Sequence, residues 1–132
     1  MEYIVGSVLA LVVLGGLSLL GFDRDRAFYP TVTIVVATYY ILFAALTGSS
    51  KVMLAELTVA VVFIVLAVLG FKKSPWILVA ALAGHGAFDL VHHRLIVNPG
   101  VPDFWPGFCM AFDVVAAAYL AVLLVQRSRQ TG

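Results

Sequence analysis

The stretch that decides the fold reads GHGAFDLVHHR and covers residues 84–94. It contains all three histidines of the chain and one aspartate, and it lies in a run apolar enough to cross a membrane. Each helical residue advances about 100°, so His85, Asp89 and His92 share one narrow face and His93 lies beside it. Ionisable groups in a spanning helix cost roughly 2.5–3.5 kcal/mol each and normally face the bundle interior. This face is therefore the first candidate for a functional site.

The composition is that of an integral membrane protein. Of 132 residues, 63% are hydrophobic and only 11% are charged, whereas soluble domains carry about 25% charged residues. A soluble core of this chain length has too little volume to hide that apolar surplus. We therefore expect a multi-pass protein of the cell membrane, in a bacterium the inner membrane. The net charge of +1 indicates no nucleic-acid partner, and the single cysteine, Cys109, excludes an intrachain disulfide.

Five apolar runs are each long enough to cross a bilayer, which takes about 20 helical residues. They predict one all-α domain over residues 1–132, an integral membrane bundle of five transmembrane helices. The predicted spans cover about residues 3–22, 29–47, 52–71, 76–96 and 108–125. Most connections between them are short, and short connections place sequential helices side by side and antiparallel.

The distribution of lysine and arginine predicts the orientation of the bundle. Five spans put the first and third connections on the same side as the C-terminus. That side holds six basic residues, Arg24, Arg26, Lys72, Lys73, Arg127 and Arg129. The other side holds Lys51 and Arg94. We expect the N-terminus to lie outside the cell and the C-terminus to be cytoplasmic.

The longest connection, residues 98–107, then forms an outer loop. It contains three prolines and two glycines, which argue against a helix within it. Its aromatic side chains are typical of a membrane–water interface, and a long connection between otherwise tight turns favours a functional role. We expect Asp103, Trp105 and Pro106 to shape a lid over the outer opening of the bundle.

Counting inward from the outer helix ends brings polar groups of several helices to one level. Glu56 lies four residues below the predicted start of its span, and His92 lies four below the end of its own. At 1.5 Å per residue, these two, Asp89 and Asp113 lie roughly 5–13 Å inside the outer boundary, and His85 lies near the midplane. No lysine or arginine falls within the hydrocarbon to neutralise the carboxylates. The carboxylates therefore need histidines, bound protons or a metal ion.

Three interpretations of this cluster remain open. In the first it holds a divalent metal ion, because histidines and carboxylates are ligands for zinc and iron. His85, Asp89 and His92 would bind the ion, and Asp113 or Glu56 would complete the shell or act as general base. A site with three protein ligands leaves a position at which water can be activated.

The second interpretation is metal-free acid/base chemistry. A carboxylate beside a histidine could move protons on a lipophilic substrate, or relay protons across the outer leaflet. In the third interpretation the polar residues hydrogen-bond across helices and only stabilise the bundle.

Four residues around the cluster are candidates for contact with a substrate. Arg94 either binds an anionic head group or reaches to the membrane interface. His93 either faces the substrate or pairs with Asp103. Tyr40 either donates a hydrogen bond into the site or anchors the chain at the interface, and Trp105 belongs to the lid.

The last two spans and their connection carry a longer pattern, G-H-G-x-x-D-x-x-H-H followed by W-P-x-F-C-x-x-x-D, over residues 84–93 and 105–113. With this pattern the chain resembles an uncharacterised family of small bacterial multi-span membrane proteins, which brings no established activity. It is also loosely similar to membrane zinc hydrolases of the alkaline ceramidase type, which place histidines and an aspartate within a helical bundle. That resemblance implies zinc hydrolysis. Those proteins have seven spans and take their histidines from more than one helix, whereas one helix carries all three here. A second loose likeness, to small bundles of the sterol-isomerase type, implies histidine and carboxylates acting on a lipid.

The sequence as a whole favours a small membrane enzyme that acts on a lipophilic small molecule, assisted by zinc or iron at an outward-facing His/Asp/Glu cluster. In this hypothesis Asp113 and Glu56 are the catalytic carboxylates. The alternative is not an enzyme but an accessory subunit, or a protein that binds or transports a ligand, protons or a metal. Under both hypotheses the protein is surrounded by membrane lipids. The glycine- and alanine-rich faces of spans one and five would permit a homo-oligomer or a larger membrane complex.

Overall fold

A computed structural model describes residues 1–131 as an all-helical bundle, with no strand in that range. The five helices are α1 (Glu2–Leu19), α2 (Phe28–Thr47), α3 (Ser50–Lys72), α4 (Trp76–Leu95) and α5 (Trp105–Thr131). A short 3-10 turn, Phe22–Arg24, lies between α1 and α2. The sequence-based prediction of an all-α fold with five helices is confirmed.

The bundle has two ends, which we name by their residues. The loop end comprises Met1, the turn at 48–49 and the connection 96–104. The basic end comprises the connections 20–27 and 73–75 together with the last turns of α5. Because the helices alternate in direction, a residue late in α2 or α4 lies at the same level as one early in α3 or α5.

The turn at the loop end between α2 and α3 is set by two adjacent residues. Gly48 ends α2 with φ of 66°, a left-handed conformation that costs glycine little. Ser49 then caps α3, because its side-chain oxygen accepts a hydrogen bond from the backbone N–H of Val52 at 3.4 Å. Together they reverse the chain within two residues, which brings the end of α2 beside the start of α3.

The helices pack in the order α1, α5, α4, α3, α2, so that α5 lies between α1 and α4. Gly6 lets α1 approach α5 closely, since a Cβ there would overlap the carbonyl oxygen of Phe108. The expectation that all sequential helices are neighbours fails for α1 and α2, which do not pack along their lengths. The eight-residue connection 20–27 is long enough to separate them, and a gap remains between them.

Four of the helices, α1, α2, α3 and α5, are long and apolar enough to span a membrane. Large apolar side chains on their outer faces are exposed, as at Val62 and Val65 on α3, which are 53% and 51% exposed. That pattern suits contact with lipid rather than water. α4 is 20 residues long but carries the three histidines, Asp89 and Arg94, and it has no 18-residue stretch as apolar as those of the other four.

The connection between α4 and α5 is shorter than the sequence indicates. α5 begins at Trp105, so the last three residues of the expected loop form its first turn. Pro106 is tolerated there because the N–H groups of a first helical turn have no intrahelical partner. α5 also continues to Thr131, beyond the predicted end of the fifth span at residue 125.

Candidate functional site

The centre of the site is a trio of buried side chains, His85, Asp89 and Asp113. His85 is 1% exposed, and the two aspartates are fully buried. The Nδ1 atom of His85 lies 2.6 Å from Oδ2 of Asp113 and 3.6 Å from Oδ2 of Asp89. One potential ligand atom from each residue lies within 4.8 Å of the other two. These three residues could hold a metal ion.

Two helices position the trio. His85 and Asp89 are one turn apart on α4 and therefore share a face, whereas Asp113 comes from α5. Gly86 permits the close approach of the two helices, because a Cβ at this position would lie 3.2 Å from the carbonyl oxygen of Met110 and 3.4 Å from the Cβ of Asp113. The small residue beside His85 therefore has a packing role in assembling the site.

A second buried pair, Glu56 and His92, lies nearer the loop end. Oε1 of Glu56 is 2.8 Å from Nε2 of His92. The side-chain amide of Asn98 donates to the same Oε1 at 2.9 Å and also approaches the backbone carbonyl of Tyr40 at 3.3 Å. The pair thus joins α3 to α4, and Asn98 attaches the connection 96–104 to both α2 and α3.

Tyr40 connects the trio to the pair. Its hydroxyl donates a hydrogen bond to Oδ1 of Asp89 at 2.7 Å. Its ring stacks on the imidazole of His92, with centroids 3.9 Å apart and planes 14° apart. A single side chain on α2 therefore contacts both clusters, by a hydrogen bond to one and by ring stacking on the other.

Each of the three carboxylates in these two clusters has one oxygen without a hydrogen-bond partner in the described chain. These atoms are Oε2 of Glu56, Oδ2 of Asp89 and Oδ1 of Asp113. Within residues 1–131, no lysine or arginine forms an ion pair with any of them. A buried carboxylate without compensation is expensive. Bound protons or a cation must therefore offset the negative charge.

The surroundings of the trio are apolar on the side of the basic end. The ring of Phe63 meets the imidazole of His85 edge to face, with centroids 4.8 Å apart. Below the trio, a core that includes Leu78, Leu82 and Leu120 fills the bundle. Leu120 lies seven residues below Asp113 on α5, so this apolar layer extends about 10 Å along the helix. It separates the polar network from the basic end.

Access to the network comes from the loop end, through a polar cavity of about 530 Å³ that we call the vestibule. Asp89 and His92 line its inner part. Its outer part includes His93 and Asp103, both exposed. The vestibule therefore comes up to one member of the trio and one of the pair, although both side chains are buried.

The structure groups the predicted ligands differently from the sequence-based hypothesis. His85 and Asp89 lie together as expected, but His92 is bonded to Glu56 and does not belong to the trio. Asp113, expected as a general base or completing ligand, occupies the third position. The difference arises because His92 lies one turn further toward the loop end, at the level of Glu56.

The predicted substrate-contacting residues are dispersed. His93 lines the vestibule and forms no ion pair with Asp103 in the described chain. Arg94 is exposed at the last turn of α4. Trp105 packs edge to face against Tyr39, with centroids 5.1 Å apart, away from the trio.

Asn98 is the site residue that sequence reasoning did not select. It is 8% exposed, and its side-chain oxygen accepts the backbone N–H of Gly100 at 3.1 Å. The sequence offers only the Asn-Pro-Gly turn signal, which predicts a turn. It does not predict that the amide reaches a buried glutamate.

Comparison with known proteins finds no relative of this chain. No protein-family model, no curated protein and no solved structure matches the chain.

Proposed function

We propose that this protein is a membrane enzyme that binds one divalent metal ion at His85, Asp89 and Asp113 and acts on a lipophilic substrate. The observation that carries the proposal is the trio itself. Its ligand atoms converge within 4.8 Å, two carboxylates accompany a single imidazole, and two carboxylate oxygens have no partner in the described chain. With a neutral histidine the trio carries two negative charges, which a divalent cation would balance.

The distances suit a metal after a small adjustment. Zinc bonds to nitrogen and oxygen are about 2.0–2.2 Å long, so tetrahedral ligand atoms lie roughly 3.3–3.5 Å apart. The 3.6 Å between His85 and Asp89 is already close to that separation. The 2.6 Å between His85 and Asp113 is a hydrogen-bond length, and it would increase when an ion replaces the shared proton.

The donor set limits the choice of metal. Imidazole suits zinc and iron, carboxylates suit harder cations such as manganese, and a mixed set accepts any of these. Three protein ligands leave a coordination position free, which is typical of catalytic rather than structural zinc sites. A metal ion in such a position supplies Lewis acidity and lowers the pKa of bound water.

Glu56 and His92 are suited to move the proton in this reaction. Their 2.8 Å contact lets a proton pass between a carboxylate and an imidazole, the pairing used in general acid–base catalysis. The vestibule reaches His92, so the proton can exchange with water at the loop end. Asn98 would keep Glu56 in position by donating to Oε1.

Proton conduction is the second candidate function, favoured by the buried ionisable groups that follow one another from Asp113 to Glu56. The layer around Leu78, Leu82 and Leu120 argues against it, because the buried hydroxyls in this layer form no path to the basic end. Thr33 bonds only to its own helix, and the hydroxyl of Tyr29 has no partner in the described chain. A network accessible from one end only is better suited to an enzyme than to a channel.

We also propose that α4 crosses the membrane, which makes five spans with the N-terminus outside and the C-terminus cytoplasmic. The polar residues His85, Asp89 and His92 are buried inside the bundle, and the outer face of α4 is apolar at Leu90 and Val91. Apart from His93 and Arg94 in its last turn, such a helix meets lipid with hydrocarbon, and its buried polar face contacts the neighbouring helices.

Elemental analysis of the detergent-purified protein, after incubation with zinc(II), iron(II) or manganese(II) and gel filtration, tests the metal centre. We expect about one equivalent of metal in the wild type and in His92→Ala, and loss of it in Asp113→Asn. Asp23→Asn is the matched control, since Asp23 is also a buried aspartate but pairs with Arg127 at the basic end. Folded wild-type protein that retains none of these metals would overturn the proposal.

A further inference from the structure

A second cavity, of about 510 Å³, occupies the gap between α1, α2 and α5. Along α2 it extends from Ala27 to Tyr39, which corresponds to about 18 Å of helix. Its walls are mostly apolar, with Leu9, Val32 and Phe112 among the side chains that line it, and Asp25 and Thr31 line it toward the basic end. Its volume is within the usual range of roughly 300–1,000 Å³ for small-molecule pockets.

The length and lining of this cavity indicate what can fill it. It is elongated, at about 18 Å along α2, and it lies between three helices whose side chains are mostly apolar there. One extended hydrocarbon chain matches this elongated apolar shape.

A polar group at the loop end of the cavity indicates the chemistry of the head group. Trp105 lines the cavity, and its indole N–H is buried without an acceptor in the described chain. Leaving a buried donor unpaired costs about 1–3 kcal/mol, and an occupant with a carbonyl or carboxylate oxygen would recover that loss. The indole N–H can donate but not accept, which selects for an acceptor.

The cavity also borders the trio. Cys109 lines it and lies one helical turn before Asp113 on α5, so the two share a face. A molecule in the cavity is thus separated from the candidate metal ligands by one turn of α5. The vestibule reaches Asp89 from the opposite side, so water and a lipid would approach the trio by different routes.

We propose that this cavity binds a lipid with a single long hydrocarbon chain, whose carbonyl or carboxylate head accepts a hydrogen bond from Trp105. The inference rests on the proposed function, because it names the substrate class of the same enzyme. The chain lies along α2 in the gap between α1 and α2, and the head group lies near the loop end, close to Cys109.

Tryptophan quenching by a dibrominated stearic acid tests this site. Trp76→Phe leaves Trp105 as the single tryptophan of the chain, and the protein is placed in nanodiscs of unbrominated phosphatidylcholine. We expect saturable quenching that unlabelled stearic acid reverses. Adding Val35→Phe, which fills the cavity, should weaken the apparent affinity about tenfold or more.

Val62→Phe is the matched control. Val35 and Val62 are 45% and 53% exposed, but only Val35 lines the cavity. Quenching that rises linearly with the brominated lipid, is not reversed by stearic acid and is the same in both variants would show bulk lipid only and overturn the inference. The metal content of the same samples is measured separately. Metal retention without saturable quenching would contradict the lipid site but not the proposed metal site.

Discussion

The ring of Tyr40 stacks on the imidazole of His92 at 3.9 Å, while its hydroxyl donates to Asp89 at 2.7 Å. One side chain therefore couples the two histidine–carboxylate clusters. The stacking restricts the orientation of His92, and the hydrogen bond occupies Oδ1 of Asp89 and leaves Oδ2 directed toward His85. Tyr40 would act through Asp89 on a metal ion held by the trio, which would make it a positioning residue.

We expect Tyr40→Phe to weaken metal binding while preserving the ring stack. Loss of a hydrogen bond to a metal ligand typically costs about 10–100-fold in metal affinity, because the ligand is no longer held in one orientation. Calorimetric titration of the metal-free protein with the metal identified by elemental analysis measures this change. Tyr39→Phe removes a hydroxyl from the adjacent residue and should leave the affinity unchanged.

Equal affinities in the wild type and Tyr40→Phe would contradict a role of Tyr40 in orienting Asp89. Tyr40→Leu removes the stack as well and should lower the midpoint of thermal unfolding more than Tyr40→Phe does. If the two variants unfold at the same temperature, the stacking on His92 contributes no stability.

Glu56 and His92 should behave as one energetic unit. Removing one partner of a buried pair leaves the other uncompensated and costs about 3–5 kcal/mol. We expect Glu56→Leu and His92→Leu each to destabilise the protein by that amount, and the double variant to cost clearly less than the sum. Unfolding in mixed micelles of a mild detergent and dodecyl sulfate gives the three free energies of unfolding. Strict additivity would mean that the 2.8 Å contact contributes no coupling.

The α4–α5 contact at the trio should depend on Gly86. A Cβ there would lie 3.2 Å from two atoms of α5, so Gly86→Val must push the helices apart and separate His85 from Asp113. We expect a lower midpoint of thermal unfolding and loss of metal. Gly84→Val is the control, because a Cβ at Gly84 meets only Phe63, at 4.0 Å. Similar effects of both substitutions would show that valine destabilises α4 in general and that the contact with α5 is not the cause.

Five spans with the N-terminus outside predict which residues a membrane-impermeant maleimide reaches. In a Cys109→Ser background, Lys51→Cys should be labelled in intact cells, whereas Lys72→Cys should be labelled only after permeabilisation. Arg94→Cys should behave like Lys51→Cys if α4 crosses the membrane. Labelling of Arg94→Cys from the same side as Lys72→Cys would show that α4 does not span.

The sequence predicts the depth of the site residues along the bundle better than it predicts which of them contact one another. Counting residues along apolar runs places Glu56, Asp89, His92 and Asp113 near one depth, because helical rise is constant. The same counting cannot tell which neighbour each side chain faces. His92 shares a helix face with His85, yet rotation and tilt of α3 bring Glu56 to it at 2.8 Å.

The connection between α4 and α5 shows the same difference between what local sequence predicts and what tertiary contacts decide. Proline and glycine content predicts an irregular connection, and residues 96–104 are irregular in the structure. Pro106 is nevertheless helical, since a first turn tolerates proline. The burial of Asn98 against Glu56 joins residues 42 positions apart, and no local pattern reports a contact of that separation.

The sequence by itself determined that the chain is an apolar helical bundle with the carboxylates of its apolar runs directed inward. The lengths of the apolar runs and the free-energy cost of burying charge leave few other architectures for this chain. The tertiary structure alone decided that Asp113 replaces His92 beside His85 and Asp89, that Tyr40 bridges the two clusters and that α5 packs between α1 and α4. These are consequences of helix rotation and packing order, which depend on how all five surfaces fit together and not on the periodicity of any one helix.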